Sequence, residues 1–94
     1  GNSIEWNVST GLVQVYALRF KYMNTSGKPI SVLMKFIDAK RVVLKEDIQI
    51  FPETPDKWKM MSTTTGTFIN AGHYKVLLSA DTMEGLAFDA LDIQ

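Results

Sequence analysis

The feature that most constrains this chain is a hydrophobic period of two that recurs along most of its length. From Gln14 the even positions read Gln14, Tyr16, Leu18, Phe20 and Tyr22, while Arg19 and Lys21 fall on the odd ones. Successive side chains of an extended strand point to opposite faces, so this spacing predicts a strand with one face buried. The pattern returns at Val32, Met34 and Phe36, at Ile48 and Ile50, at Trp58 and Met60, and at Tyr74, Val76 and Leu78. Segments near Ile4–Val8 and over Leu86–Ile93 complete a set of about seven strands. No ten-residue stretch keeps a helical period. The expected fold class is all-β, an antiparallel β-sandwich.

Turn chemistry punctuates the strands. Asn24-Thr25-Ser26-Gly27-Lys28-Pro29 is a dense turn cluster, and Asp38-Ala39-Lys40-Arg41 is short enough to join its neighbours as a hairpin. Pro52 and Pro55 bracket a segment that can sustain neither helix nor sheet pairing, so a loop is expected there. Asn70-Ala71-Gly72-His73 reads as a turn and Ser79–Gly85 as a polar loop. In the last strand the phase slips. Phe88 lies on one parity and Leu91 and Ile93 on the other, which predicts a bulge near Asp89-Ala90.

Composition narrows the function classes. The 94 residues are 46% hydrophobic and 21% charged, a globular balance sufficient for one domain, read as residues 2–94 with Gly1 set aside as a scar. Ten basic residues balance ten acidic ones, so the electrostatic footprint of a nucleic-acid binder is missing. The longest apolar run is Val15 to Leu18, far below the roughly 20 residues of a membrane span, so no membrane partner is expected. Cysteine is absent, which removes disulfides, thiolate catalysis and cysteine-based zinc sites.

Catalytic signatures are equally sparse, and the isolated chain is expected not to be an enzyme. The single histidine, His73, follows a glycine and reads as a solvated turn residue rather than a general base. Glu46 and Asp47 are adjacent, so on a strand they face opposite ways and cannot serve as a glycosidase pair. Glu53 and Asp56 lie in the proline loop. Two sequons, Asn7-Val8-Ser9 and Asn24-Thr25-Ser26, matter only in a eukaryotic secreted setting. The aromatics say more. Tyr22 ends a strand and Trp58 follows the proline loop. Rings in such places can stack on the apolar face of a sugar. They can equally cap the core, and pattern alone favours that reading.

Five segments in order resemble carbohydrate-binding modules of families 6 and 35, which have a galactose-binding-like jelly roll. Ile4-Glu5-Trp6-Asn7-Val8 is similar to their Ile-Glu-Trp-x-Val strand, and Phe20-Lys21-Tyr22-Met23-Asn24 to their Phe-Arg-Tyr-Ala-Asn element. Phe51-Pro52-Glu53-Thr54-Pro55-Asp56-Lys57-Trp58 resembles their Phe-Pro-x-Thr-Gly-x-x-x-x-Trp segment. Asn70-Ala71-Gly72-His73-Tyr74-Lys75-Val76 resembles the turn before their penultimate strand, and Gly85-Leu86-Ala87-Phe88-Asp89-Ala90-Leu91 their closing Gly-Pro-Asn-Ile-Asp-Tyr-Leu.

The resemblance implies a non-catalytic accessory domain of a larger bacterial glycoside hydrolase, extracellular or periplasmic, that binds carbohydrate weakly. It places sugar contacts at Tyr22, Trp58, Lys21 and Asn24. Two departures bear on this. Ala87 stands where the closing motif has its Asn, which removes an orienting hydrogen bond. Lys21 stands for the motif Arg and loses the planar fork. The alternative reading is therefore a scaffold that kept the fold, lost the sugar site and packs against the catalytic domain. Such modules usually begin with strands carrying calcium ligands, and this chain lacks their counterpart. No cofactor and no tightly held calcium are expected, since Asp89 offers one oxygen where calcium takes six to eight. Two outcomes are open for sheet edges bared in this way: either they are protected, or the chain pairs edge to edge as a homodimer.

Overall fold

The computed structural model describes residues 1–94. Seven strands form: β1 (Asn2–Thr10), β2 (Ala17–Asn24), β3 (Ile30–Asp38), β4 (Val43–Phe51), β5 (Lys59–Thr64), β6 (Gly72–Ala80) and β7 (Leu86–Ile93). They build two antiparallel sheets, ordered β1-β6-β3-β4 and β5-β2-β7. The result is an all-β sandwich consistent with a jelly roll.

The period-two pattern is obeyed where it is strongest. Leu18, Phe20 and Tyr22 of β2, Val32, Met34 and Phe36 of β3, and Tyr74, Val76 and Leu78 of β6 all point into the gap between the sheets and are buried. Phe20, Phe51, Phe88 and Trp6 meet edge to face, with ring centroids 5.2 to 6.1 Å apart. Each such buried side chain contributes about 1.5–3 kcal/mol by leaving water. Asp89 is the extra residue of a bulge, because Lys21 pairs with Ala90 while Tyr22 pairs with Phe88. This is where the phase slip predicted it.

Two segments depart from the simple reading. Gln14–Tyr16 is not the start of β2 but a separate bridge, in which Gln14 and Ile69 exchange both backbone hydrogen bonds. In β4 the isoleucines face outward, with Ile48 59% and Ile50 57% exposed, while Lys45, Asp47 and Gln49 face inward. Register explains this. Phe51 opposite Ile30 is fully buried, and with an inward Phe51 the alternation sends every even position of β4 outward. The inward polar groups find partners across the gap. Lys45 donates to the Thr64 carbonyl, and the Gln49 amide to Thr63 Oγ1 at 3.4 Å.

Strand directions gather the loops at two ends. Residues 25–29, 52–58 and 81–85 lie at one end, and residues 11–16, 39–42 and 65–71 at the other. Each sheet has two free edges, β1 and β4 in one and β5 and β7 in the other.

Candidate functional site

Asn24 holds the first loop end together. It is fully buried at the last position of β2. Its Nδ2 donates to the carbonyls of Lys28 at 2.8 Å and Phe51 at 2.9 Å. Its Oδ1 accepts from the Ser26 amide at 3.0 Å and the Ser26 hydroxyl at 2.7 Å. Its backbone N–H donates to Thr54 Oγ1 at 2.8 Å, and its carbonyl accepts from the Thr54 amide at 2.8 Å. One side chain thus closes the 25–29 turn and fixes it to β4, while the backbone clamps the proline loop through buried Thr54. The third loop is tied in by the Thr25 amide donating to the Gly85 carbonyl at 2.8 Å.

This geometry changes the expected contact set. Tyr22 and Asn24, two of the expected sugar contacts, are buried in the framework of this end. Tyr22 is 3% exposed, packs at 4.9 Å against Phe51, and donates its hydroxyl to the Pro52 carbonyl at 3.0 Å. Burial pushes its phenol above the usual tyrosine value of 10.0. Neither face of that ring is open to stack on a ligand in this conformation. Asn24 has spent both ends of its amide internally.

Trp58 and Lys21 remain at the surface. Trp58 is 44% exposed and leads from the proline loop into β5. Lys21 forms an ion pair with Asp89 at 3.2 Å, with about half of each side chain in water. Met60 lies opposite Lys21, and Ala87 opposite Met23. Continued one residue back from β5, the register sets Trp58 beside Met23. An exposed indole therefore sits at the margin of a sheet face that carries two thioethers, an ammonium and a carboxylate. The bulge at Asp89 turns that carboxylate toward Lys21, a contact the sequence pattern did not anticipate. The role of Thr54 was also missed, because nothing in a Pro-Glu-Thr-Pro string marks one hydroxyl for burial.

A separate groove lies on the outer face of the four-stranded sheet. It encloses about 730 Å³ and is lined by Glu5, Asn7, Ser9, Arg41, His73 and Lys75, among others. Ser9 Oγ and His73 Nδ1 are 3.0 Å apart there. Both are exposed, and Lys75 is paired with Glu5, so no third group orients the imidazole as a nucleophile-activating triad requires. No three His, Cys, Asp or Glu side chains gather in an arrangement able to hold a metal. Asp89, the residue that could offer calcium an oxygen, is committed to Lys21.

The sequence matches no protein-family model and no curated protein. The fold does match solved structures. One is an isomalto-dextranase from Arthrobacter globiformis T6 complexed with panose, with a TM-score of 0.77 and 20% identity over 97% of this chain and 16% of that one. A family 35 carbohydrate-binding module from an environmental isolate matches with a TM-score of 0.76 and 18% identity over 100% of this chain and 66% of that one. The cycloalternan-forming enzyme of Listeria monocytogenes, in complex with a pentasaccharide substrate, matches with a TM-score of 0.75 and 18% identity over 98% of this chain and 8% of that one. The chain thus has a fold shared with a carbohydrate-binding module, and it spans only a small part of the enzymes it resembles.

Proposed function

We propose that this chain is a non-catalytic carbohydrate-binding accessory domain of a larger, secreted bacterial glycoside hydrolase. The carrying observation is Trp58, an exposed indole on a loop that the Asn24–Thr54 clamp holds in place. A ring presented this way loses little freedom when a pyranose stacks on it. Lys21 and Asp89 lie on the adjoining sheet face and supply a donor and an acceptor for sugar hydroxyls. Binding of this kind needs no metal. With a single stacking aromatic, and alanine at position 87, affinity is expected to be weak, in the millimolar range of about −4 kcal/mol.

The test is a fluorescence titration with galactosides, xylan fragments and α-glucan oligosaccharides. Trp6 is packed against Phe20 and Phe88, so the ligand-dependent signal should come from Trp58. Saturable quenching that disappears in Trp58→Ala, with unchanged thermal stability, is the expected outcome. No saturable response to any sugar up to tens of millimolar would sink the binding reading.

A second reading is favoured by the burial of Tyr22 and by Ala87. In it the domain has kept the sandwich, lost the sugar site, and orients a neighbouring catalytic domain. It predicts no sugar response at all, together with altered activity of the longer enzyme when the domain is deleted.

A further inference from the structure

One backbone angle sets the hairpin between β3 and β4 apart. Arg41 has φ +68° and is the one residue other than glycine in the left-handed region. The turn holds it there. The Arg41 amide donates to the Asp38 carbonyl at 3.0 Å, and Asp38 Oδ1 accepts from the amides of Lys40 at 2.8 Å and Val42 at 2.9 Å. Pairing then resumes out of step, with Ile37 opposite Val43. Hairpins closed by such a turn and bulge usually carry glycine at the left-handed position. A Cβ crowds the following carbonyl oxygen in that conformation, so arginine is a costly residue where glycine or asparagine is cheap. Strain of this kind collects at functional sites.

The strained residue lines the groove on the outer face of the four-stranded sheet. Register lays out the floor. Asn7, Lys75 and Ile37 form one row across β1, β6 and β3, and Ser9 and His73 form the next. Two carboxylates line the groove as well, Glu5 and Asp38. Glu5 answers Lys75 at 3.6 Å, and Asp38 is turned onto the amides of its own hairpin. Arg41 takes part in none of the chain's four ion pairs, and neither does Lys40, exposed beside it. The uncompensated charge here is therefore positive. Tyr74 also borders the groove, but it is 9% exposed and stacks on Phe36, so no ring face is offered to a neutral sugar.

We propose that this groove binds an oxyanion, the phosphate, sulfate or carboxylate of a small polar molecule, with Arg41 as the group that grips it. A guanidinium presents a planar fork of donors that matches two oxygens of such an anion at once. Lys75 is the second cation. Its pair with Glu5 lies about half in water, where such pairs contribute little, so the ammonium is free to turn toward a ligand. Ser9 Oγ and His73 Nδ1 are 3.0 Å apart, and with the hydroxyl donating, the other ring nitrogen carries the proton and is a further donor. The volume of about 730 Å³ lies in the range of small-molecule sites and exceeds what a bare ion fills, so the anion is expected to be a substituent on a larger polar body. Glu5 and Asp38 oppose the anion and keep affinity modest, with a dissociation constant of roughly 1–10 mM. The site lies on the other sheet and toward the other end from Trp58, so it does not depend on sugar stacking there.

Amide chemical shifts, followed at constant ionic strength, test this with four probes: glucose 6-phosphate, gluconate, inorganic phosphate and neutral glucose. The expected result is saturable shifts at Arg41, His73 and Lys75 with an anionic probe and none there with glucose. Glucose 6-phosphate acting alone identifies a phosphate ester, gluconate acting alone a carboxylate, and inorganic phosphate matching the ester identifies the free ion. Arg41→Gly separates binding from folding. It removes the fork and relieves the left-handed strain, so the dissociation constant should rise at least about tenfold while the melting temperature holds or rises by up to about 4 °C. Arg41→Lys keeps the charge but loses the fork and should fall between the two. Trp58→Ala should leave these shifts unchanged. No saturable shift with any anion up to about 50 mM would overturn the proposal. So would equal shifts with glucose, binding indifferent to Arg41→Gly, or a lowered melting temperature in Arg41→Gly, which would make Arg41 a structural residue of the hairpin.

Discussion

Replacing Asn24 with alanine tests the structural argument most directly. The substitution removes four side-chain hydrogen bonds, two donated to carbonyls and two accepted from Ser26. A hydrogen bond contributes about 0.5–1.5 kcal/mol net, and a buried acceptor left empty costs about 1–3 kcal/mol. The Phe51 carbonyl is the acceptor at risk, because that residue is fully buried. The expected loss is about 3 kcal/mol. A chain of this length has a total stability of about 5–14 kcal/mol. The melting temperature should fall by roughly 10–25 °C. With a denaturant slope near 1.5 kcal/mol/M, the urea midpoint should fall by about 2 M. Thr25→Ala removes only an exposed hydroxyl bond of 3.3 Å and should shift the midpoint by less than about 0.4 M.

Asn24→Asp adds a pH signature. Its carboxyl would face the carbonyls of Lys28 and Phe51, which accept from the acid form and repel the carboxylate. Burial and repulsion both raise the folded-state pKa above the unfolded value of about 3.9. The folded variant then holds its proton more tightly than the unfolded chain. Its deficit against the parent protein is smallest below the unfolded pKa and grows as pH rises through the folded value. Urea melts of both proteins at pH 4 and pH 8 read this difference. A midpoint drop under about 0.5 M for Asn24→Ala would show that Asn24 does not hold this end together.

Three further predictions follow from single sites. Gly85→Ala should destabilise by about 2–4 kcal/mol, because φ is +87° and a Cβ would lie 2.9 Å from the Ser26 amide nitrogen; Gly27→Ala, with φ +86° and open space, should lose only about 1–2 kcal/mol in the same melts. Tyr22 holds its proton more tightly when folded, so stability should decline as pH rises above 10.0, and Tyr22→Phe should remove that component while losing about 1 kcal/mol at neutral pH through the Pro52 bond. Excess EDTA should change neither the melting temperature nor sugar affinity, as scanning calorimetry and titration can check.

The fold was legible because β2, β3 and β6 each bury one parity of a period-two pattern completely, and burial of that kind leaves its mark residue by residue. The bulge at Asp89 was legible for the same reason, since an inserted residue shifts the phase of everything after it. The site was harder. Tyr22 shares its parity with Leu18 and Phe20, so alternation alone assigned it to the core, while motif similarity assigned it to the surface. The structure follows the alternation. Motif similarity made Asn24 a ligand, whereas its side-chain hydrogen bonds reach residues up to 27 positions away.

The sequence by itself determined the fold class, the facing of the strongest strands, most of the turns and the absence of thiol chemistry. These rest on local properties: alternation, φ preferences and residue counts. Only the tertiary structure decided which aromatic stays at the surface, why the isoleucines of β4 face outward, and that the distant 11–16 and 65–71 loops pair through Gln14 and Ile69. Those outcomes depend on which strands become neighbours and in what register, and non-local pairing is the one thing a period of two leaves open.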